Sequence, residues 1–457
     1  MPTGFPFAPK SVVPGVVWPA LPATPGATML ALQFQLEHSQ WWAPGLLARQ
    51  QLAQLRELLI HAHETVPFYR QRFAAAGFDP RSDFTYDDFA RLPLLSRADL
   101  QQADNVVSSQ RVPPEHGPVA QGQTSGSSGT PVRFLGTEVT RFYWQVFTLR
   151  EQLWHRRDFD RKYAVIRTVS DNVVMPAWGR AIEVAFRTGP GAFLKIDTNV
   201  SAQVEWLKQH DPDYLLSYGS NLGAIARFCL EHGVSLPHLK EVGSIGEIVT
   251  PELRAECWRA WGVKLVDLYS AQEVGYIALQ CPQYECYHVQ SENVLVEILD
   301  AAGRQCAPGE IGRVVVTALH NFATPLIRYD IGDYAEPGEP CPCGRGLPVL
   351  KRIMGRSRNM LVLPNGERRW PVTGCREYVA PWLLRQFQFV QKSLEDIEVR
   401  LVTARPLAPE EESDLKRKIV AGLGHPFCLR FIYCDEIPRA PGGKYEDFKS
   451  ELPAGAI

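Results

Sequence analysis

Helix-like and strand-like segments alternate through most of this chain, and that alternation limits its possible folds more than any other feature. Apolar residues recur at helical spacing over residues 46–66. Thr250 followed by Pro251 predicts another helix start, because threonine caps helices and proline suits the first turn; Gly262 ends this helix. Residues 263–269 then form an apolar run typical of a buried strand. The alternation predicts an α/β fold in which helices cover a sheet.

Further short strands extend this alternation toward both ends of the chain. Strands or strand–turn units are predicted at 121–135, 163–169, 213–218, 293–299 and 313–317. Residues 1 to about 30 are rich in proline, so we expect them to be irregular and to run along the surface.

The pattern changes after Gly355. Alternating apolar residues predict half-buried strands around 397–401 and 427–433, and a helix is predicted between them at 415–423. A strand–helix–strand unit of this size is enough for a small second domain of α+β type. We therefore predict a large N-terminal α/β domain over residues 1–355 and a small C-terminal domain over residues 356–457.

The charge balance and the proline pattern exclude some classes of protein. Lysine and arginine total 48 against 50 acidic residues, a formal net charge of −2, which excludes a nucleic-acid binder driven by bulk positive charge. The long uncharged stretch 11–36 holds four prolines, which interrupt any membrane-spanning helix. We expect no secretory signal, a cytoplasmic location and reduced cysteines. The oligomeric state is left open.

A run of small hydroxyl residues and glycines suggests a binding loop for an anion. The run consists of Thr124, Ser125, Gly126, Ser127, Ser128, Gly129 and Thr130, followed by a proline. Glycines let backbone N–H groups converge on one point, and hydroxyls add donors, so the loop suits phosphate. The alternative is a flexible serine–glycine linker. No lysine follows the last glycine, so this is not the P-loop of kinases and GTPases.

Two carboxylates and one lysine stand out by their positions. Glu273 follows the predicted buried strand, where ligand crevices of α/β folds lie, although an acid at a helix start is the alternative. Asp333 follows a glycine turn and suits the two hydroxyls of a ribose, although it also suits a plain surface turn. Lys444 lies on a glycine-rich loop that could move into a site; the alternative is a solvated lysine.

Clustered cysteines beside a histidine suggest a metal site. Cys281, Cys286 and His288 lie close together in the sequence, and Cys341 and Cys343 follow. Thiolates and imidazole are zinc ligands, and four of them make a closed structural site. We favour zinc bound by Cys281, His288, Cys341 and Cys343, with Cys286 competing with Cys281 for one position. The alternative is a group of reduced cysteines without metal.

Seven segments, in a fixed order, resemble the phenylacetate–CoA ligase-like branch of the adenylate-forming superfamily, which also includes acyl-CoA synthetases, adenylation domains and luciferase. The resemblance covers residues 46–452. Its anchors are Val66–Arg70, Thr124–Pro131, Gly246–Glu247, Tyr269–Glu273, Leu326–Asp333, Gly355–Ser357 and Gly443–Lys444. It implies the adenylate-forming enzyme fold, with a large N-terminal domain and a small mobile C-terminal domain.

The resemblance also implies a reaction. ATP and a carboxylic acid would form acyl-AMP with release of pyrophosphate, and the acyl group would then pass to CoA. Lys444, Glu273 and Arg356 would be the catalytic residues, with Glu273 also holding Mg²⁺. The ATP-binding residues would be the loop 124–130 together with Gly246, Glu247, Tyr269 and Asp333, with Gly246 and Glu247 on the adenine side.

The acid and the acceptor stay open at this point. The family favours an aryl or arylacetic acid, with Phe142, Tyr143, Tyr218 and Gly219 as candidate acyl-binding residues. Residues 358–359 are Arg-Asn where relatives usually have two acids, so transfer to a small amine remains an alternative to CoA. A catalytically silent binding protein of the same fold is the third hypothesis.

Overall fold

The computed structural model describes residues 9–101, 106–124, 131–371, 383–440 and 442–452. Its helices are Thr24–Ser39 (α1), Pro44–Thr65 (α2), Pro67–Ala75 (α3), Tyr86–Ala90 (α4), Arg97–Leu100 (α5), Glu138–Trp154 (α6), Arg180–Glu183 (α7), Val200–His210 (α8), Gly219–His232 (α9), Pro251–Trp261 (α10) and Pro409–Leu423 (α11), with 3-10 turns at Pro114–His116 and Ser357–Asn359.

The strands form one large sheet, one small sheet and two hairpins. They are Ala120–Gln123 (β1), Arg133–Gly136 (β2), Tyr163–Arg167 (β3), Val173–Met175 (β4), Gly191–Lys195 (β5), Tyr214–Ser217 (β6), Glu241–Ser244 (β7), Lys264–Ala271 (β8), Gly275–Gln280 (β9), Tyr287–Val289 (β10), Val294–Leu299 (β11), Gly312–Ala318 (β12), Tyr329–Pro337 (β13), Val349–Arg356 (β14), Leu361–Val362 (β15), Arg368–Arg369 (β16), Leu384–Gln391 (β17), Asp396–Thr403 (β18), Cys428–Tyr433 (β19) and Phe448–Ser450 (β20).

The large sheet has 12 strands in the order β11-β12-β13-β14-β10-β9-β8-β7-β6-β3-β5-β4. Strands β5, β3, β6, β7 and β8 run parallel to one another, and β4 closes that edge antiparallel. From β8 onward the pairs are antiparallel, through β9 and β10 to β14 and out to β11. The α/β prediction is therefore confirmed, and β8 is the strand at which the two halves meet.

The segment α10–β8 shows how local sequence builds the parallel half. Thr250 caps α10 by accepting a hydrogen bond from Leu253 N at 3.2 Å, and a proline occupies the first turn. Gly262 ends the helix with a left-handed φ of +68°. Leu253 and Cys257 then pack against the parallel strands in a buried cluster. These residues help to position β8, so that Glu273 follows the carboxyl end of this interior strand.

We expected residues 1 to about 30 to be irregular. This expectation is wrong from Thr24 onward, because α1 begins there. Pro25 lies in the first turn, where a missing N–H costs nothing, so the proline does not prevent the helix. Met29 and Leu36 are buried on the face of α1 that packs with α6. Within the described residues, no helix is long and apolar enough to cross a membrane.

The small sheet has four strands in the order β19-β18-β17-β20. The central pair is antiparallel, while β19 and β20 each run parallel to their neighbours. Leu415, Ile419 and Leu423 of α11 are buried against this sheet. We call this unit the small lobe and the part that carries the 12-stranded sheet the large lobe. The last strand of the large sheet ends at Arg356; the domain boundary at 355–356 stays a prediction.

Candidate active site

Two neighbouring strands of the large sheet hold a charged pair at the proposed ribose position. Asp333 on β13 lies opposite Arg356 on β14, and its Oδ1 is 3.4 Å from Arg356 Nε. Its Oδ2 accepts a hydrogen bond of 2.7 Å from the Tyr269 hydroxyl on β8. Burial and the carboxylate of Asp333 raise the pKa of Tyr269 well above its usual value, so the phenol stays a donor. Three strands thus orient one carboxylate.

Glu273 lies just beyond β8 and is only 6% exposed. Burial raises the pKa of its carboxyl, while the positive charges of Arg356 and Arg97 act in the opposite direction. A carboxylate that is already shielded from water binds a cation strongly once one arrives. Glu273 is therefore suited to bind a metal cation, including one that accompanies phosphate groups.

Lys444 of the small lobe reaches these groups across the gap between the lobes. Gly246 has a φ of +72°, and a Cβ built on it would lie 3.0 Å from Lys444 Cε. Burial, and then the charge of Arg356, lower the pKa of Lys444; the carboxylates of Asp333, Glu247 and Glu273 oppose this. The structure therefore brings a partly desolvated ammonium group to the site where the sequence places the reaction.

The loop that carries Lys444 is seated on the large lobe. The hydroxyl of Tyr218 donates to Gly442 O at 2.9 Å. Gly443 has a φ of +78°, and a Cβ there would lie 2.5 Å from Thr168 Oγ1 and 2.9 Å from the ring of Tyr218. A side chain at position 443 is excluded by both conformation and space. Glycine is what lets the loop approach closely enough for the lysine to enter.

Glu247 binds the same loop from the large lobe. One of its carboxylate oxygens accepts 2.6 Å and 3.1 Å hydrogen bonds from Tyr445 N and Ser220 Oγ, and the other accepts one of 2.7 Å from Ser220 N. Arg439 Nη1 lies 3.5 Å from the carboxylate. Burial raises the pKa of Glu247, and the Arg439 charge and these donors act against that rise. The adenine contact predicted for Gly246 and Glu247 stays a prediction.

Of the proposed phosphate loop, the structure describes only the first residue, Thr124. Thr124 closes the β1–β2 hairpin, because its N–H donates to Val132 O at 2.9 Å and its hydroxyl accepts from Val132 N at 3.0 Å. The rest of the predicted loop, Ser125–Thr130, lies outside the described residues. Its role in binding phosphate stays a prediction.

A cavity of about 290 Å³ opens beside Glu273, between the β1–β2 hairpin and α6. Tyr143, Trp144 and Tyr276 form much of its aromatic wall, and His320 contributes a polar edge. His320 stacks on Tyr143 at 4.0 Å between ring centroids. Burial lowers the pKa of His320 to about 4, so the ring is neutral at physiological pH. The cavity combines flat apolar walls with neutral polar groups and with two charged residues, Arg141 and Glu273.

The four predicted acyl-binding residues lie at two places. Tyr143 lines the cavity beside Glu273, and Phe142 packs against the hydrophobic cluster next to it. Tyr218 contacts the Lys444 loop, and the neighbouring Gly219 packs against Leu253 at the start of α9. Tyr143 and Phe142 therefore lie at or next to the cavity, whereas Tyr218 lies at the Lys444 loop.

The predicted metal ligands lie together at a separate site. Cys281 and His288 belong to the β9–β10 hairpin, and Cys341 and Cys343 lie on the loop between β13 and β14. One ligand atom from each of these four lies within 4.8 Å of the others. Cys341 Sγ is 3.9 Å from Cys281 Sγ and 3.6 Å from Cys286 Sγ, and Cys343 Sγ is 3.3 Å from His288 Nε2.

Sequence reasoning missed the residues that join the two lobes. Arg439 precedes Lys444 in the same loop motif but received no role, and Ser220 was not considered. Arg439 Nη1 donates to Ser220 Oγ at 2.8 Å across 219 residues of chain. No local spacing predicts such a contact, although an arginine five positions before a proposed catalytic lysine was a usable signal.

Comparisons with known proteins show which families and folds this chain resembles. A family model described as the CapK C-terminal domain matches residues 373–451. The phenylacetate-coenzyme A ligase of Pseudomonas putida is 27% identical over 69% of this chain and 72% of its own length. The phenylacetate-coenzyme A ligase of Thermus thermophilus is 24% identical over 85% of this chain and 93% of its own length.

Solved structures of CoA ligases share the fold. A 2-hydroxyisobutyryl-CoA ligase in the postadenylation state, in complex with an acyl-AMP, has a TM-score of 0.72 at 20% identity, covering 91% of this chain and 92% of that one. The same ligase in the thioesterification state has a TM-score of 0.60, covering 91% of both chains. An anthranilate CoA ligase complex has a TM-score of 0.53 at 15% identity, covering 72% of this chain and 65% of that one.

The fold is therefore that of the adenylate-forming enzymes, as the sequence predicts. Within this class, its curated sequence relatives include the phenylacetate–CoA ligases, so the resemblance to that branch is confirmed.

Proposed function

We propose that this protein is an AMP-forming ligase that activates a carboxylic acid with ATP and then transfers the acyl group to CoA. One observation carries the proposal: Lys444 of the small lobe lies against Gly246 of the large lobe, near enough to Asp333, Glu273 and Arg356 for their charges to act on it. The sequence relatives named as phenylacetate–CoA ligases support the same reaction.

The geometry suits the first half-reaction. A carboxylate oxygen of the acid attacks the α-phosphorus of ATP, and the bond from that phosphorus to the pyrophosphate oxygen breaks. Both reactants are anionic, so they approach only where cations and oriented donors offset the repulsion. In this proposal the ammonium group of Lys444 would bridge the acid and the α-phosphate, and Arg356 would add a second positive charge nearby.

The nucleotide would be held by groups from both halves of the sheet. Asp333 would accept hydrogen bonds from the ribose hydroxyls, with Tyr269 and Arg356 orienting it. Backbone N–H groups of the loop 124–130 would bind the outer phosphates. Glu273 fits Mg²⁺, because it is a shielded carboxylate and Mg²⁺ prefers oxygen ligands. The ion supplies charge neutralisation for the departing pyrophosphate.

The cavity beside Glu273 favours a compact aromatic acid. Tyr143, Trp144 and Tyr276 provide flat apolar surface, and His320 is a neutral polar group. Flat apolar walls of this kind suit an aryl group. An aryl or arylacetic acid is therefore our proposed substrate class, with Tyr143 at the aryl group and Tyr218 and Gly219 near the lysine loop.

In the second half-reaction the CoA thiol attacks the acyl carbonyl carbon, AMP leaves with the electrons of the anhydride bond, and the thiol proton passes to solvent. An amine acceptor would follow the same course and give an amide. Arg358 and Asn359, which replace the two acids usual in relatives just after Arg356, are the observation that keeps the amine as a second candidate. The relatives named as CoA ligases favour the thiol.

We also propose a structural zinc ion at Cys281, His288, Cys341 and Cys343. Three thiols and one imidazole form a complete tetrahedral donor set. His288 is fully buried, and its Nδ1 has no hydrogen-bond partner in the part of the chain that is described. A zinc ion would cross-link the β9–β10 hairpin to the β13–β14 loop. All four positions are filled by protein, so the site leaves no place for a substrate.

An acid panel tests the proposed function. Pyrophosphate release from ATP and Mg²⁺ is measured with benzoates, arylacetates, aliphatic acids and no acid, and AMP release is then measured with CoA or with amines. We expect release that depends on an aromatic acid, followed by CoA-dependent AMP release. Pyrophosphate release that no acid changes would refute the proposal. AMP release with amines but not with CoA would show that the acceptor is an amine.

A further inference from the structure

Contacts between the lobes converge on one buried carboxylate. The Glu247 side chain is only 6% exposed, and the Arg439 side chain facing it is 24% exposed. The large lobe supplies Ser220, whose N–H and hydroxyl both donate to Glu247. The small lobe supplies the backbone N–H of Tyr445, the residue next to Lys444. Two of the four contacts of Glu247 therefore come from the small lobe.

Arg439 completes a closed set of polar contacts. Its Nη1 donates to Ser220 Oγ at 2.8 Å and to Gly443 O at 3.1 Å, and it faces Glu247 at 3.5 Å. The guanidinium group therefore bonds to the loop that holds Lys444 and, at the same time, to the large lobe. We call Glu247, Ser220, Arg439 and the Tyr445 N–H the lobe latch.

We propose that the lobe latch holds the small lobe in the acid-activating arrangement, so that Glu247 and Arg439 are positioning residues for Lys444. The inference rests on the proposed function, because it assigns the latch to the first of the two half-reactions. The latch is expected to be broken when the small lobe turns for acyl transfer, since Arg439 and Tyr445 then leave Glu247.

The physical reason is a difference in free energy between two arrangements. A buried carboxylate is costly unless donors satisfy it, and here the nearest donor comes from the mobile lobe. Ser220 lies in the first turn of α9, where the helix dipole also favours a negative charge. With the small lobe turned away, only these large-lobe partners remain. Contacts present in one arrangement alone shift the population toward it.

The competing account is that Glu247 binds the adenine of ATP, as the sequence resemblance implies. The two accounts differ in which kinetic constant changes. Loss of an adenine contact raises the KM for ATP, whereas loss of the latch lowers the rate of the first half-reaction with ATP binding preserved. Arg439 separates them further, because it belongs to the latch only.

The test measures each half-reaction by itself in Arg439→Ala, Arg439→Lys and Glu247→Ala. The first is acid-dependent ATP–pyrophosphate exchange with the most active acid of the panel; the second is thioester formation from chemically prepared acyl-AMP and CoA. Arg417→Ala is the control, because Arg417 is exposed on α11 of the same lobe. We expect exchange to fall at least tenfold in both alanine variants, with partial recovery in Arg439→Lys. Thioester formation and the KM for ATP should change less than twofold.

Equal losses in both half-reactions, unchanged exchange, or a large rise in the KM for ATP would overturn the inference. A readout without activity separates this failure from a failure of the proposed function. Hydrogen exchange at the peptide that carries the Tyr445 amide should be at least fivefold faster in Glu247→Ala than in the wild-type protein, while the α11 peptide stays unchanged. Equal protection of the Tyr445 peptide in both proteins would show that no latch exists, whatever the reaction.

Discussion

Lys444 carries its charge in surroundings that partly oppose it. Burial and the nearby Arg356 favour the neutral amine, and three carboxylates in the same site favour the ammonium form. The net effect is a pKa below the ordinary 10.5 of a lysine. Because the proposed chemistry needs the charged form, the activity of the free enzyme should decline as the pH rises through this lowered pKa.

The pH profile of kcat/KM for ATP tests this expectation, since that ratio reports groups of the free enzyme. We expect an alkaline decline with a midpoint below pH 10.5 in the wild-type protein. Lys444→Arg keeps its charge at all accessible pH values, so its lower activity should show no decline from this residue. An identical alkaline decline in the arginine variant would contradict the assignment to Lys444.

Individual residues differ in how far the sequence predicts them. Glu273, Asp333 and Lys444 each follow a strand or a glycine turn, so motif order and chain position suffice to propose them. The contact between Arg439 and Glu247 spans 192 residues, and no periodicity connects the two positions. Such a contact depends on how the lobes are placed, and only the three-dimensional structure defines that placement.

At the scale of elements, local sequence signals predicted those helices and strands whose conformation depends on their own residues. Thr250, Pro251 and Gly262 define α10 by capping chemistry, and the helix has the predicted bounds. The start of α1 was missed because the prolines before residue 25 suggested an irregular chain, whereas the helix is stabilised by packing on α6. The order of 12 strands was not predicted, since pairing between distant strands leaves no local pattern.

The proposed zinc site, which joins the β9–β10 hairpin to the β13–β14 loop, can be tested by metal analysis. Purified protein should contain about one zinc ion per chain, and Cys341→Ser should contain almost none. We expect the Tm of this variant to fall by ~5–10 °C, because the loss of a metal cross-link costs several kcal/mol of folding free energy. Elemental analysis and calorimetry provide the two measurements.

Two further cysteine variants make the metal test specific. Cys428 is exposed at the start of β19, outside the cluster, so Cys428→Ser should keep both zinc and Tm. Cys286→Ser should also keep zinc if Cys281 is the ligand. Untreated protein without zinc would refute the proposal. Loss of zinc in Cys286→Ser would show that Cys286, rather than Cys281, is the zinc ligand.

At the scale of the whole molecule, the hinge lies where the chain leaves the large sheet. Arg356 is tied to the large lobe through Asp333. Arg358 Nη2 donates to Glu446 Oε1 at 2.6 Å, and Asn359 Nδ2 donates to Phe448 O at 2.7 Å, so both belong to the small lobe. We therefore expect the proposed rotation between the lobes to be concentrated near Ser357, between these two attachments.

A proline at the hinge should separate the two half-reactions. Ser357 begins a 3-10 turn, and Arg356 before it has a φ of −87° and a ψ of 154°, which a following proline accepts. Ser357→Pro is therefore compatible with the present arrangement and restricts rotation away from it. We expect acid-dependent pyrophosphate exchange within threefold of wild type and acyl transfer to CoA at least tenfold slower.

Ser357→Ala is the matched control, since it removes the hydroxyl and leaves the backbone free. Transfer to CoA at the wild-type rate in Ser357→Pro would show that the lobes do not rotate about this residue.

A crystal structure with α,β-methylene-ATP and Mg²⁺ tests the central claim most directly, because this analogue cannot release pyrophosphate. Our account predicts the nucleotide between the two lobes, with its ribose hydroxyls on Asp333 and the Lys444 ammonium group at the α-phosphate. A nucleotide bound elsewhere on the protein, with Lys444 and Asp333 both free of it, would contradict the account.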